Sequence, residues 1–188
     1  MSARLNRRTL ILGLTAALGV PRAWADLRGD GARFQIEMLL FRQPGPAPHA
    51  TPVPTRPGAI TSPGRVEALP ADGHWQLSGA REALARHGYA TLGHAAWLAV
   101  VPTNGRTTAR LEDVLKPGAP IAGTVALQRS QYLFLGVDVD YLSTADTVYA
   151  VRERRRVKFG EHHYFDHPAY GAIAVVTPAP GESPAVAD

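Results

Sequence analysis

The densest run of chemistry-bearing residues is Glu161-His162-His163-Tyr164-Phe165-Asp166-His167-Pro168, with three of the seven histidines inside six positions. Neutral imidazole and carboxylate are good ligands for zinc and other divalent metals. On a helix, His163 and His167 would share a face, which admits a metal-dependent hydrolase built on His162, His163, Asp166 and His167. The order is not His-Glu-x-x-His, however, because the glutamate precedes the first histidine. No distant third ligand stands out, and Pro168 disfavours helical backbone at His167. The plainer expectation is a tight turn joining two strands. Asp166 would accept backbone N–H groups there, and Pro168 would fix the exit. Neither a metal nor a cofactor is expected on that reading.

The second constellation is Arg152-Glu153-Arg154-Arg155-Arg156-Val157-Lys158. On a strand, alternate residues share a face. Arg152, Arg154, Arg156 and Lys158 then form a row of positive charge opposite Tyr149, Val151, Val157 and Phe159. Guanidinium groups bind carboxylates and phosphates bidentately. The competing reading is a solvated face, partly neutralised by Asp138 and Asp140 on a neighbouring strand. No aromatic is interleaved in the row, which makes nucleic acid a poor partner. A carboxylate-rich polymer or an acidic protein fits better.

Third, His94-Ala95-Ala96-Trp97 lies in a strand. Trp97 either stacks on a sugar ring or packs in the core, as strand tryptophans usually do. Trp75, beside His74, has the same two readings. Motifs for catalysis are weak. There is no Gly-x-Ser-x-Gly, no phosphate-loop pattern and no dinucleotide fingerprint. Nothing assembles a nucleophile, a base and an oxyanion site, so no enzyme is expected.

These residues need elements to hold them. Arg33 to Phe41 reads as a strand with Phe34, Ile36, Met38 and Leu40 on one face and Leu39 and Phe41 on the other. Residues 43–73 hold eight of the sixteen prolines and read as a long, extended loop. Ser78 can cap a short helix ending at Gly88, with Ala80, Ala83, Leu84 and His87 along one face. Strands follow at Tyr89 to Val101, Ile121 to Arg129, Tyr132 to Leu142, Thr147 to Phe159 and Gly171 to Thr177. In Tyr132 to Leu142, Leu133, Leu135, Val137, Val139 and Tyr141 line one face and Asp138 and Asp140 the other. The order predicts an α+β fold: a mainly antiparallel sheet of five or six strands with one short helix packed on a face. One domain is expected over residues 26–177, with a disordered tail at 178–188.

The first 25 residues read as an export leader. Arg4, Arg7 and Arg8 precede an apolar run from Thr9 to Val20, and Ala23-Trp24-Ala25 is a small-x-small cleavage site. Asn6-Arg7-Arg8-Thr9-Leu10-Ile11 is similar to a twin-arginine signal. The run is too short to cross the ~30 Å hydrocarbon core of a bilayer, so no membrane span is expected in the mature chain. Removing the leader removes four arginines from the 20 basic residues and none of the 16 acids. The mature chain is therefore close to neutral, which again argues against nucleic acid. Cysteine is absent, which excludes disulfides, thiolate metal sites and a cysteine nucleophile.

Arg155-Arg156-Val157-Lys158, then Glu161 to Pro168, then Tyr170-Gly171 ahead of an apolar strand and Pro178 resemble the C-terminal signature of the CsiV family. The turn motif comprises His163, Tyr164, Asp166, His167, Pro168 and Gly171. Glu37 to Phe41 resembles the family's opening Glu-x-x-x-Phe strand, and His94-Ala95-Ala96-Trp97 its His-x-x-Trp. Gly123-Thr124-Val125 and Tyr132-Leu133 resemble its later strands. The chain departs from the pattern at Leu98, Ala99, Phe134 and His162. The resemblance implies a periplasmic, non-enzymatic, peptidoglycan-binding protein that supports cell-wall synthesis and cell shape. Arg152, Arg154, Arg156, Lys158, Trp97 and His94 are the candidate ligand-binding residues. The alternative is a protein–protein adaptor of the wall-synthesis machinery that makes no glycan contact.

Overall fold

The computed structural model describes residues 31–45, 64–70, 75–143 and 147–179. The leader at 1–25, His74, most of the proline-rich loop and the tail beyond Ala179 lie outside them. Five strands form one antiparallel sheet: β1 (Ala32–Arg42), β2 (Val66–Ala68), β3 (Ala90–Val101), β8 (His163–His167) and β9 (Tyr170–Pro178), in the order β2-β3-β1-β9-β8. The other sheet is β4 (Arg106–Arg110), β5 (Ile121–Arg129), β6 (Leu133–Leu142) and β7 (Val148–Val157), in sequence order. Two helices complete the described residues, α1 (Ser78–Arg86) and the single turn α2 (Leu111–Val114).

The architecture is mainly β with two sheets, where the sequence predicts one sheet in an α+β fold. The reason is the short strands. Val66–Ala68 sits in a proline-rich stretch, Arg-Thr-Thr-Ala-Arg is mostly polar, and His163–His167 reads as a turn, so each carries little apolar alternation. Pairing exposes them: Val66 lies opposite Ala99, Thr107 opposite Leu127, and Phe165 opposite Ala172. The expected tail also starts too early. Pro178 pairs with Phe34, and the Ala179 N–H donates to the Arg33 carbonyl.

The alternation of β1 places its side chains. Phe34, Ile36, Met38 and Leu40 enter the core between the sheets, against Leu127, Leu135 and Val139. Leu39 and Phe41 point the other way and pack with Leu77 and Val175 under Ala80 and Leu84 of α1. The helix-on-a-face expectation therefore describes the outer side of the five-stranded sheet. Tyr170 ties the sheets together; its buried hydroxyl donates to the Val139 carbonyl at 2.7 Å. Gly123 is required in β5. Its φ is +126°, and a Cβ there would run into the Asp138 carbonyl oxygen.

The cap of α1 differs from expectation. The helix begins at Ser78, and Leu77 occupies the cap position with no side-chain bond of its own. Glu37 supplies the acceptors instead, from across the sheet. Its Oε2 accepts the Gln76 N–H at 2.7 Å and its Oε1 the Leu77 N–H at 2.9 Å.

Candidate functional site

A β-bulge prepares one side of a cleft. Leu40 pairs with Gly93 and Phe41 with Thr91, which leaves Leu92 as the extra residue of β3. The chain after α2 comes very close here; a Cβ on Gly93 would lie 2.8 Å from Leu115 Cδ2. Between this bent strand, the start of α1 and the segment Lys116–Pro120 opens a cleft of about 450 Å³. That size suits a small ligand. Trp75 and His94 line it together with Leu92, Ala119 and Pro120, and the exposed Arg81 and Lys116 add positive charge.

His94 is held from behind. Its Nε2 lies 2.8 Å from Glu37 Oε1, with the two side chains 4% and 2% exposed. The carboxylate already accepts two backbone N–H groups, so the ring nitrogen facing it is the donor. Trp75 meets the His94 ring edge-on, with centroids 4.5 Å apart and planes at 79°. Among the described residues, the buried Trp75 Nε1 and His94 Nδ1 have no hydrogen-bond partner.

Arg152, Arg154 and Arg156 are exposed on one face of β7, and the exposed Lys158 follows just past the end of the strand. The charges of this row are not equivalent. Arg152 bonds Asp138 at 3.1 Å and Asp140 at 2.9 Å, and Lys158 bonds Glu161 at 3.2 Å. Arg154 lies over the Phe134 ring at 4.1 Å and donates to Gln128 Oε1 at 3.0 Å. Arg156 lies over the Tyr132 ring at 3.6 Å. Aromatics therefore do serve the row, but from β6 and the turn before it. Phe134 and Tyr132 fall on the Asp138–Asp140 face of the same alternation, and that was the available signal. Beside Arg152 and Arg154, Thr124, Ala126 and Gly136 floor a shallow trough of about 410 Å³.

Trp97 is wholly buried between the sheets. It presents no face to a sugar, which settles its two readings in favour of the core. Sequence reasoning did not reach Arg81 or Lys116, because neither stands in a motif.

The histidine-rich motif folds as strand β8 and not as a turn; the turn is Pro168-Ala169. Strand alternation divides the cluster. Phe165 is buried, His163 and His167 lie on its side, and Tyr164 and Asp166 are exposed on the other. The set His162, His163, Asp166 and His167 is thereby split, and among the described residues no three His, Asp or Glu side chains gather as a metal site. Asp166 Oδ1 accepts from the Tyr164 hydroxyl at 2.9 Å and from Gln43 Nε2 at 3.1 Å. Burial, then the Asp166 carboxylate, push the Tyr164 phenol from 10.0 up to about 12. His167 Nδ1 accepts the Ala169 N–H at 3.1 Å. Gly171 lets the Phe41 ring approach; an added Cβ would sit 2.8 Å from Phe41 Cζ and 3.0 Å from Tyr164 Cε2. The motif positions the sheet edge.

Residues 60–179 match the family described as "Peptidoglycan-binding protein, CsiV". The chain belongs to the CsiV family. The match covers well over half of the sequence and includes the cleft residues from Trp75 onward, the basic row and β8. It begins after β1, so the Glu37 to Phe41 part of the resemblance lies outside it. No curated protein and no solved structure matches the chain. No helix among the described residues is long and apolar enough to cross a membrane.

Proposed function

We propose that this CsiV family member is an accessory protein of the periplasm that binds peptidoglycan without catalysing a reaction and supports cell-wall synthesis and cell shape. The leader-like first 25 residues and the peptidoglycan-binding family support the compartment and the polymer. The surface we assign to the wall is the outer face of the four-stranded sheet. The observation that carries it is the pair Arg154 and Arg156, exposed and seated over the rings of Phe134 and Tyr132.

A ring beneath a guanidinium restrains its orientation and leaves its N–H edge open to a carboxylate. Stem peptides supply such carboxylates. Arg152 and Lys158 already hold acids, so they contribute less to the charge of the face.

The test is sedimentation with purified sacculi. Wild-type protein should pellet with them, and Arg154→Glu combined with Arg156→Glu should stay mostly in the supernatant. Wild-type protein that never sediments would refute the reading. Unchanged sedimentation of the double variant would remove this face from it.

A further inference from the structure

Nothing in the fold requires a glycine at Gly136, in the middle of β6. Its pairing with Ala126 on one side and Arg154 on the other runs without a bulge, and its φ is not positive. A Cβ placed on it would meet nothing nearer than the Ala126 carbonyl oxygen, at 3.8 Å. Glycine weakens a strand interior and is kept there for a bulge, a bend, or the close approach of a backbone or a ligand. The register is continuous and no described backbone comes close, so the glycine points to a ligand.

Gly136 and Ala126 floor the trough of about 410 Å³, and Arg106, Arg154, Asp138 and Arg152 line it. Its two ends carry opposite charge. Arg154 reaches toward Phe134, with its guanidinium 4.1 Å from that ring's centroid, and it donates to the neutral Gln128. Among the described residues, no carboxylate pairs with Arg154. Arg106 stands on the same side, opposite Gln128 in the β4–β5 pairing. At the other end, the single guanidinium of Arg152 is shared between Asp138 and Asp140. Acid is therefore in excess there, and Asp138 is the more open of the two, 58% exposed against 14%. Arg110 ends the same cross-strand row on β4 and does not line the trough. Phe134 and Asp138 are four residues apart, about 13 Å along the strand, which leaves room for an amino acid with a hydrogen bond at each end.

We propose that the trough over Gly136 is a subsite for the head of an amino acid, an ammonium and a carboxylate on one carbon, as at the free end of a diaminopimelate residue in a stem peptide. The proposal rests on the peptidoglycan reading and names the group that is recognised. The ligand carboxylate bonds Arg154 and its ammonium bonds Asp138. The carbon between them passes over Gly136, where any side chain would stand in the way. Opposite charges at the two ends make a plain carboxylate or a plain amine the poorer ligand.

The experiment is calorimetric titration with the disaccharide tetrapeptide released from diaminopimelate-containing sacculi by a muramidase. Three further ligands dissect the head group. A muropeptide with lysine in place of diaminopimelate lacks the carboxylate, an amine-acetylated form lacks the ammonium, and free meso-diaminopimelate lacks the polymer. Wild-type protein should bind the muropeptide, and either loss should weaken binding about tenfold, the scale of a hydrogen bond to a charged group. Gly136→Val should weaken it about as much while the melting temperature holds or rises, because valine favours strands. Asp138→Asn should also weaken it. That sign is diagnostic, because a face that binds carboxylates alone would lose a repelling charge and bind more tightly.

Thermal melts show whether each variant is folded, and Asp138→Asn alone decides if Gly136→Val is not. Wild-type affinity in folded Gly136→Val protein overturns the proposal, as does unchanged or tighter binding by Asp138→Asn. Free meso-diaminopimelate that binds as tightly as the muropeptide would keep the subsite and make the free amino acid its ligand. Sacculi that pellet the wild type while the diaminopimelate and lysine muropeptides bind alike would sink the subsite and leave the peptidoglycan reading standing.

Discussion

Glu37 and His94 lie 57 residues apart in the chain and 2.8 Å apart in space, joining adjacent strands through a buried hydrogen bond. The same carboxylate accepts the backbone N–H groups of Gln76 and Leu77. One side chain of β1 therefore anchors the start of α1 and orients the ring of β3 that lines the cleft. Fold and site share this joint.

Glu37→Gln should be costly. An amide offers one acceptor oxygen where the carboxylate offers two, and its NH2 meets a donor. The loss should be about 2 kcal/mol, in the range for breaking a buried, charge-assisted set. Urea denaturation measures it. Exposed Glu67→Gln is the control and should change stability by less than about 0.5 kcal/mol.

Trp97→Ala should destabilise the fold by about 3 to 5 kcal/mol, as expected when a large buried aromatic is removed. Trp97→Phe should cost less and leave a folded protein. That variant should pellet with sacculi like the wild type, because the side chain is wholly buried. Reduced sedimentation of folded Trp97→Phe protein would bring back the sugar platform.

Phe134→Leu and Tyr132→Leu keep every arginine and remove the rings beneath two of them. Cation–π contacts at exposed sites contribute about 0.5 to 1 kcal/mol. Each substitution should therefore weaken sacculus binding about twofold to fivefold with little effect on the melting temperature. A dose series of sacculi gives the ratio directly.

Acid should loosen the β8–β9 corner through His167. Burial holds its imidazole below the ordinary 6.5, against the opposing pull of Asp166. Above that ordinary value the ring is neutral in both the folded and the unfolded chain. As pH falls, the unfolded chain takes up the proton first, so stability declines until the lower folded value is passed. Protonation also puts a hydrogen on Nδ1, where the Ala169 N–H donates. Wild-type protein should lose urea resistance as the pH falls below the ordinary imidazole value of 6.5. His167→Asn, which retains an acceptor but does not titrate, should lose less over the same fall. Parallel curves for the two proteins would refute this.

Parts of the site were legible because strands alternate. Arg152, Arg154 and Arg156 face one way in β7, as period-two reading requires. Phe34, Ile36, Met38 and Leu40 share a buried face for the same reason. The β8 motif was misread because Pro168 and a polar composition suggest a turn, whereas pairing with β9 draws His163–His167 into the sheet. Strand β4 was missed because Thr107 and Thr108 are buried although polar, and the division into two sheets was missed because β5, β6 and β7 carry no local sign of which strands they pair with.

Alternation along a strand, a property of backbone geometry, let the amino-acid order assign side chains to faces and line up the cations. Which faces were then covered was a matter of partners distant in the chain. Trp97 was sealed because the second sheet closed over it, whereas Trp75 came to wall a cleft because the bulge at Leu92 and the close approach of Leu115 to Gly93 left space beside it. Burial and juxtaposition depend on what lies across a gap in space, and local periodicity carries no record of that.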